Sequence, residues 1–249
     1  MHDGVVRLSC RCETDGMSAQ RPCYRGYRFP PVIISHAVWL YHRFSLSFRD
    51  VEDLLAERGI NVTYETVRQW CLTFGLDYAR RLRRQRGRQG DTWHLDEVFV
   101  RIQGRQQYLW RAIDEDGDVL DILVQSRRNR RAAVRCFRKL LKRHGSMPRQ
   151  VVTDKLPSYP AAQRTVMPSV HHVTTQYANN RAEVSHQPTR RRERQMQRFK
   201  SPGPLQRFAS VHGVVHNLFR VGRHLLPAAH HRLLRTRAFA DWDAVTCLP

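Results

Sequence analysis

Thr92-Trp93-His94-Leu95-Asp96-Glu97-Val98-Phe99-Val100-Arg101-Ile102 is the stretch on which the fold turns. It reads as a strand: Val98, Val100 and Ile102 alternate with Phe99 and Arg101, and the run ends at Gly104. Asp96 sits in its middle, where burying an unpaired carboxylate is costly. Such a side chain is expected to turn toward a cleft, a partner or a metal ion. Glu97 follows at the opposite phase of the pleat, so it is expected on the other face of the sheet and is left out of the candidate site.

Downstream, residues 106–113 read as a second strand, turning at Asp116-Gly117 into a third at Val119–Gln125. Asn129 is placed to cap a helix running to about His144, which Gly145 and Pro148 end. Residues 150–153 form a short buried strand with Asp154 at its end. Three antiparallel strands followed by alternating helix and strand predict an α/β core of the ribonuclease H kind. Residues 179–186 then lead into a basic helix on which Glu183, His186 and Arg190 share one face. Pro202-Gly203-Pro204 breaks that helix, and 205–224 reads as another, amphipathic one.

Upstream, residues 1–29 read as a poorly ordered leader in which Met17 is a second possible start. Its Cys10, Cys12 and Cys23 lack the fourth ligand of a structural zinc site. Residues 30–78 read as three helices. Pro31 opens the first, Ser47 with Asp50 makes a capping-box start for the second, and Thr63 caps a third whose apolar face is Val67, Trp70, Cys71 and Phe74. A turn through Gly59 makes the last two a helix-turn-helix. Thr66, Arg68, Gln69 and Thr73 lie off the apolar face and are candidates for DNA contact; the alternative is a plain helical hairpin. Residues 80–88 hold six arginines in nine positions. They form either a basic linker over 79–90 or the end of a long helix, with Arg81 and Arg84 as phosphate contacts.

A chain of 249 residues with 41% hydrophobic content can bury a real core. Its formal net charge of +21 suits a polyanionic partner, nucleic acid first among them. No apolar run approaches the roughly 18 residues of a membrane span, and no secretory signal is recognisable. Six scattered cysteines do not resemble a secreted disulfide framework. These features place the chain in a bacterial cytoplasm, on DNA.

Two carboxylates at strand positions and one on a late helix match the needs of a two-metal phosphoryl-transfer site, since Mg²⁺ takes hard oxygen ligands. With 22 acidic residues to choose from, position makes that case and number does not. The motifs Trp93-His94-Leu95-Asp96-Glu97, Thr153-Asp154-Lys155 and Asn179-Asn180-Arg181-Ala182-Glu183, with His186, resemble the catalytic signatures of DDE insertion-sequence transposases. The nearest match is the insertion sequence six family, whose members move by forming cointegrates. The resemblance runs from about Pro30 to Asp243 and includes Arg127-Arg128-Asn129 and the basic run at 185–196.

That resemblance implies a ribonuclease H-like catalytic domain at 91–200, preceded by the all-α helix-turn-helix domain and followed by C-terminal helices at 201–249. It implies Asp96, Asp154 and Glu183 as a catalytic triad binding two Mg²⁺ (or Mn²⁺) ions. It further implies cleavage at inverted-repeat ends, attack of the freed 3′-hydroxyl on target DNA, and Lys155 and Arg190 on DNA phosphates. Holding two element ends together calls for a homodimer or larger assembly on DNA. The alternatives are a catalytically inactive helix-turn-helix protein, either a decayed copy or a regulator, and a nuclease that cuts without joining.

Overall fold

The computed structural model describes residues 24–44, 46–87, 90–175, 179, 182, 187, 199–220 and 226–246. Local chemistry sets the helix ends where the sequence places them. α1 (Pro31–Arg43) begins with a proline whose missing N–H would have had no partner in the first turn. α2 (Phe48–Ala56) has a reciprocal capping box: Asp50 N–H donates to Ser47 Oγ at 3.1 Å, and Ser47 N–H donates to Asp50 Oδ2 at 2.7 Å. Thr63 Oγ1 accepts the Thr66 N–H at 3.3 Å to open α3 (Tyr64–Gln85).

The arginine-rich run is the end of that long helix as far as Gln85, and part of it is fastened inside the protein. Arg83 donates to the Ser210 carbonyl at 2.6 Å, and Arg86 reaches the Val119 carbonyl at 3.3 Å and Asp118 at 3.0 Å. Burial, reinforced by the positive charge of Arg143, pulls the Arg83 guanidinium down to about 10.

The five-stranded sheet has the order β3-β2-β1-β4-β5, with β1 (Thr92–Ile102), β2 (Arg105–Ile113), β3 (Val119–Gln125), β4 (Gln150–Val152) and β5 (His171–Val173). The first three strands are an antiparallel meander; β4 runs parallel to β1, and β5 parallel to β4. This is the ribonuclease H-like arrangement expected from the sequence. The β1–β2 hairpin turns through Gln103 (φ 48°) and Gly104 (φ 76°), two left-handed residues as a tight hairpin requires. α4 (Arg130–His144) starts on the Asn129 side chain, which accepts the Ala132 N–H at 3.0 Å, and stops at Gly145 in the left-handed region.

α4 and α5 (Ser158–Val166) enclose a core on one face of the sheet, with Trp93, Leu95, Trp110, Phe137 and Tyr159. On the other face Val100, Ile102, Leu109, Ile113 and Ile122 pack with Leu205 and Ala209 of α6 (Pro202–Phe219). The buried side of β1 therefore changes along its length: Trp93 and Leu95 are covered on one face, Val98, Val100 and Ile102 on the other. Asp96 and Glu97, both half-buried, stand at the changeover.

α6 buries the apolar residues read from its sequence and is enclosed more fully than an amphipathic helix need be. Leu205, Phe208, Val211, Val214, Val215 and Phe219 bury it on nearly all sides, because it lies between β3 and the N-terminal helices. Asn217 meets β3 as another strand would, its Oδ1 accepting from the Val119 N–H and its Nδ2 donating to the Val119 carbonyl, each at 3.0 Å. α7 (Ala228–Thr246) adds Ala238, Trp242 and Val245 to the core that α1, α2, α3 and α6 share. Among the described residues no helix is long and apolar enough to cross a membrane.

One consequence of enclosing α6 is a pH dependence. Burial and the guanidinium groups of Arg43, Arg111 and Arg220 press His216 down to about 3, and Arg43 Nη1 lies 3.4 Å from its Nδ1, which an unprotonated ring can accept. Between the ordinary value of 6.5 and about 3 the unfolded chain takes up a proton that the folded chain refuses. Stability from this group is complete above pH 6.5 and falls below it, by at most about 1.4 kcal/mol per pH unit. Urea midpoints at pH 7, 6 and 5 should converge for the wild type and His216→Asn as pH drops. A gap that stays constant across that range would refute the assignment.

Candidate metal centre

β4 lies beside β1 in parallel register, with Thr92 opposite Gln150, Trp93 opposite Val151 and His94 opposite Val152. Continuing this register past Val152 sets Asp154 beside Asp96. One carboxylate oxygen each from Asp96, Glu97 and Asp154 lies within 4.8 Å of the others. Thr153 anchors the end of β4: its N–H donates to the Val173 carbonyl at 3.0 Å, and its hydroxyl lies 2.9 Å from His172 Nε2.

Asp154 is held by contacts on both of its carboxylate oxygens. Its Oδ1 accepts the Leu156 N–H at 3.0 Å, ordering the turn, while its Oδ2 faces Arg128 Nη2 at 3.2 Å. With 34% of its side chain exposed, it is also open to a further ligand. Asp96 faces Arg111 in the β1–β2 register.

Glu97 was passed over in the sequence because it belongs to the opposite face of the sheet. It does face the α4–α5 side, where its side chain is 1% exposed, yet one of its oxygens reaches the carboxylate group around the strand. There it accepts from Arg128 Nε and from the Tyr159 hydroxyl. Burial, aided by the nearby Asp154 charge, raises Glu97 to about 7 against the opposing pull of the Tyr159 hydrogen bond and the Arg128 guanidinium. No local signal marks this role, since its partners lie 31 and 62 residues away in sequence.

The segment bearing Glu183 and Arg190 lies outside the described residues, as do Cys10, Cys12 and Cys23. Two residues just ahead of Glu183 are placed. Asn179 donates from Nδ2 to the Leu95 carbonyl at 2.7 Å, next to Asp96, and Ala182 is buried with Val100 and Ile102. Lys155 is exposed beside Asp154.

On α3 the groove-facing candidates are partly occupied. Glu65 holds Arg68 at 2.6 and 2.8 Å and Gln69 at 2.9 Å, and these hydrogen bonds depress the Glu65 carboxyl to about 2. Thr66 is drawn into the Thr63 cap. Arg81 is paired with Asp77 at 2.9 Å with little of its side chain exposed, while Arg84 is exposed.

Hard carboxylate oxygens clustered where β1 and β4 run side by side, with Asp154 partly exposed, are the kind of donor that Mg²⁺ or Mn²⁺ takes. The residues fit such an ion. Residues 90–222 match a family model described as a DDE domain. The chain is 33% identical over 168 residues to the transposase for insertion sequence-like element IS431mec of Staphylococcus aureus (strain N315), spanning 66% of this chain and 75% of that protein. It is 32% identical over 168 residues, with the same coverage, to the transposase for insertion sequence element IS257 in transposon Tn4003 of the same species. The chain belongs to the DDE insertion-sequence transposases.

Within this DDE transposase the matched domain begins just before β1 and ends just past α6, so the carboxylate group lies inside it and α1, α2 and α3 precede it. A solved structure, the HTLV-2 integrase catalytic core domain in complex with magnesium (trimeric form), is similar over 58% of this chain and 94% of that one, with 12% identity and a TM-score of 0.40.

Proposed function

We propose that this transposase cleaves DNA at the inverted-repeat ends of an insertion sequence and joins the freed 3′-hydroxyl to target DNA. The observation that carries the reading is the parallel pairing of β1 and β4, which brings Asp96 and Asp154 into one carboxylate group from distant parts of the chain. Glu183 supplies the third carboxylate; Asn179 and Ala182 ahead of it are already seated against β1. Two Mg²⁺ or Mn²⁺ ions held there would supply Lewis acidity to the phosphate and make a nucleophile of water or a 3′-hydroxyl.

The chain's own part is to hold and orient. Asp96 is fixed by the sheet, Asp154 by the Leu156 N–H, and Lys155 and Arg190 neutralise phosphate charge beside them. The helix-turn-helix of residues 30–78 takes the terminal repeat, with Thr66, Arg68 and Gln69 at the start of α3 toward the groove. Contact there requires the Glu65 carboxylate to give up Arg68 or Gln69. In the 79–90 segment the exposed Arg84 follows the backbone, and Arg81 joins it only by giving up Asp77; 91–200 and 201–249 are the catalytic domain and its helical extension. Two ends joined in one reaction call for at least two copies on DNA, in the bacterial cytoplasm.

Purified protein, a labelled duplex carrying the flanking repeat, and Mg²⁺, Mn²⁺ or EDTA form the test. Metal-dependent cleavage with joining is expected. Cleavage alone would identify a nuclease, and tight binding without chemistry in either metal would identify a DNA-binding protein that has lost catalysis.

A further inference from the structure

Arg128 stands between β3 and α4, one residue ahead of the Asn129 cap, and reaches back over the carboxylate group. Its Nε donates to Glu97 Oε1, and its Nη2 donates to Asp154 Oδ2 at 3.2 Å. The second oxygen of Glu97 accepts from the Tyr159 hydroxyl. Glu97 and Tyr159 are enclosed, at 1% of the side chain and 0% of the residue exposed, whereas 40% of the Arg128 side chain is exposed. A carboxylate with both oxygens engaged and almost no access to solvent is poorly available to a metal ion. Its geometry instead fixes one edge of a planar guanidinium, and Tyr159, locked under α4 and β2 by Phe137 and Trp110, fixes the carboxylate in turn.

The other contact of Arg128 is of a different kind. Asp154 is part of the candidate metal centre, so a cation bound there competes with the guanidinium for the same carboxylate and repels it. The Glu97 bond keeps Arg128 within reach while its Nη edge loses its partner. A guanidinium has five N–H donors in a fork that matches a phosphate, and the bonds to Glu97 and Asp154 use two of them.

We propose that Arg128 is a phosphodiester-binding residue of the active site, seated by Glu97 and Tyr159, and that it exchanges Asp154 for a DNA phosphate oxygen when a cation occupies the centre. The proposal rests on the transposase reading for the identity of the phosphate and assigns Glu97 a positioning role distinct from metal binding. Among the described residues Arg143 also pairs with a buried carboxylate, Asp121, but Arg128 alone of the two stands over the carboxylates of the candidate metal centre.

The test measures binding to the flanking-repeat duplex in Ca²⁺, by fluorescence anisotropy, with single phosphates near the cleavage position replaced in turn by neutral methylphosphonates. Arg128→Ala is expected to weaken binding to the unmodified duplex about tenfold. The same variant should lose nothing further at one modified phosphate, where wild type itself loses about as much. Arg128→Lys keeps a charge on Glu97 and so guards the fold; it should show the same position-specific indifference, because an ammonium lacks the fork. Glu97→Gln should weaken the contact partially at that position alone.

Uniform weakening at every phosphate, or wild-type behaviour of both Arg128 variants in folded protein, would overturn the proposal. Strand transfer by the same wild-type preparation separates the two readings. Transfer with no Arg128-dependent phosphate defeats this inference alone, whereas an Arg128-dependent phosphate without transfer supports it and defeats the transposase mechanism.

Discussion

Asp154→Asn loses strand transfer by roughly 10³-fold or more, the scale of several kcal/mol of lost charge stabilisation, while affinity for the repeat duplex stays within about threefold. Asparagine keeps a carbonyl oxygen to accept the Leu156 N–H, so the turn after β4 survives the change. What goes is the negative charge that faces Arg128 and would hold a cation. The helices proposed to take the terminal repeat, α1, α2 and α3, pack in a separate core built with α6 and α7. Comparing cleavage, joining and anisotropy for the two proteins checks all three statements. A variant that still joins strands within about tenfold of wild type would remove Asp154 from the mechanism.

Trp110→Ala is the largest stability change expected in the catalytic domain, about 3–5 kcal/mol, against a total of roughly 5–15 for a protein of this kind. Trp110 is 0% exposed and packs on β2 beneath α5, its ring 5.4 Å from that of Tyr159 in an edge-on contact. Removing it opens a cavity and loosens the tyrosine that holds Glu97. The thermal midpoint should fall by roughly 10 °C. Trp110→Phe should cost much less, because the indole N–H has no hydrogen-bond partner among the described residues to lose. Thermal melts of the two variants decide the matter, and an alanine variant within about 1 kcal/mol of wild type would contradict the packing account.

How far each feature was legible depends on how far apart its parts lie. The β1 stretch, the Asn129 cap, the Gly145 stop and the Ser47–Asp50 box are interactions within a few residues, and they stand as the sequence reads. So does the assignment of Glu97 to the opposite face of the sheet. Its exclusion from the site missed a longer-range fact: a side chain on the other face can still send an oxygen around the strand into the carboxylate group. Arg128 lay inside a recognised motif but received no role, because its two carboxylate partners are 31 and 26 residues away. α6 read as amphipathic because its sequence records composition but cannot show that sheet and helices cover it from both sides.

By itself, then, the sequence determined the first four strands, α4 and the N-terminal helices in order, and the family, since backbone propensity, capping and motif spacing are local. It also set Asp96 within a strand and Asp154 at the end of one, but it did not mark α5. Only the tertiary structure decided that Asp154 comes to Asp96 through the β1–β4 register, that Glu97 is enclosed with Tyr159 and Arg128, and that the arginines ending α3 are partly spent on internal fastening. Those outcomes follow from which surfaces are packed together and freed of water, and burial of that kind is a property of the assembled fold.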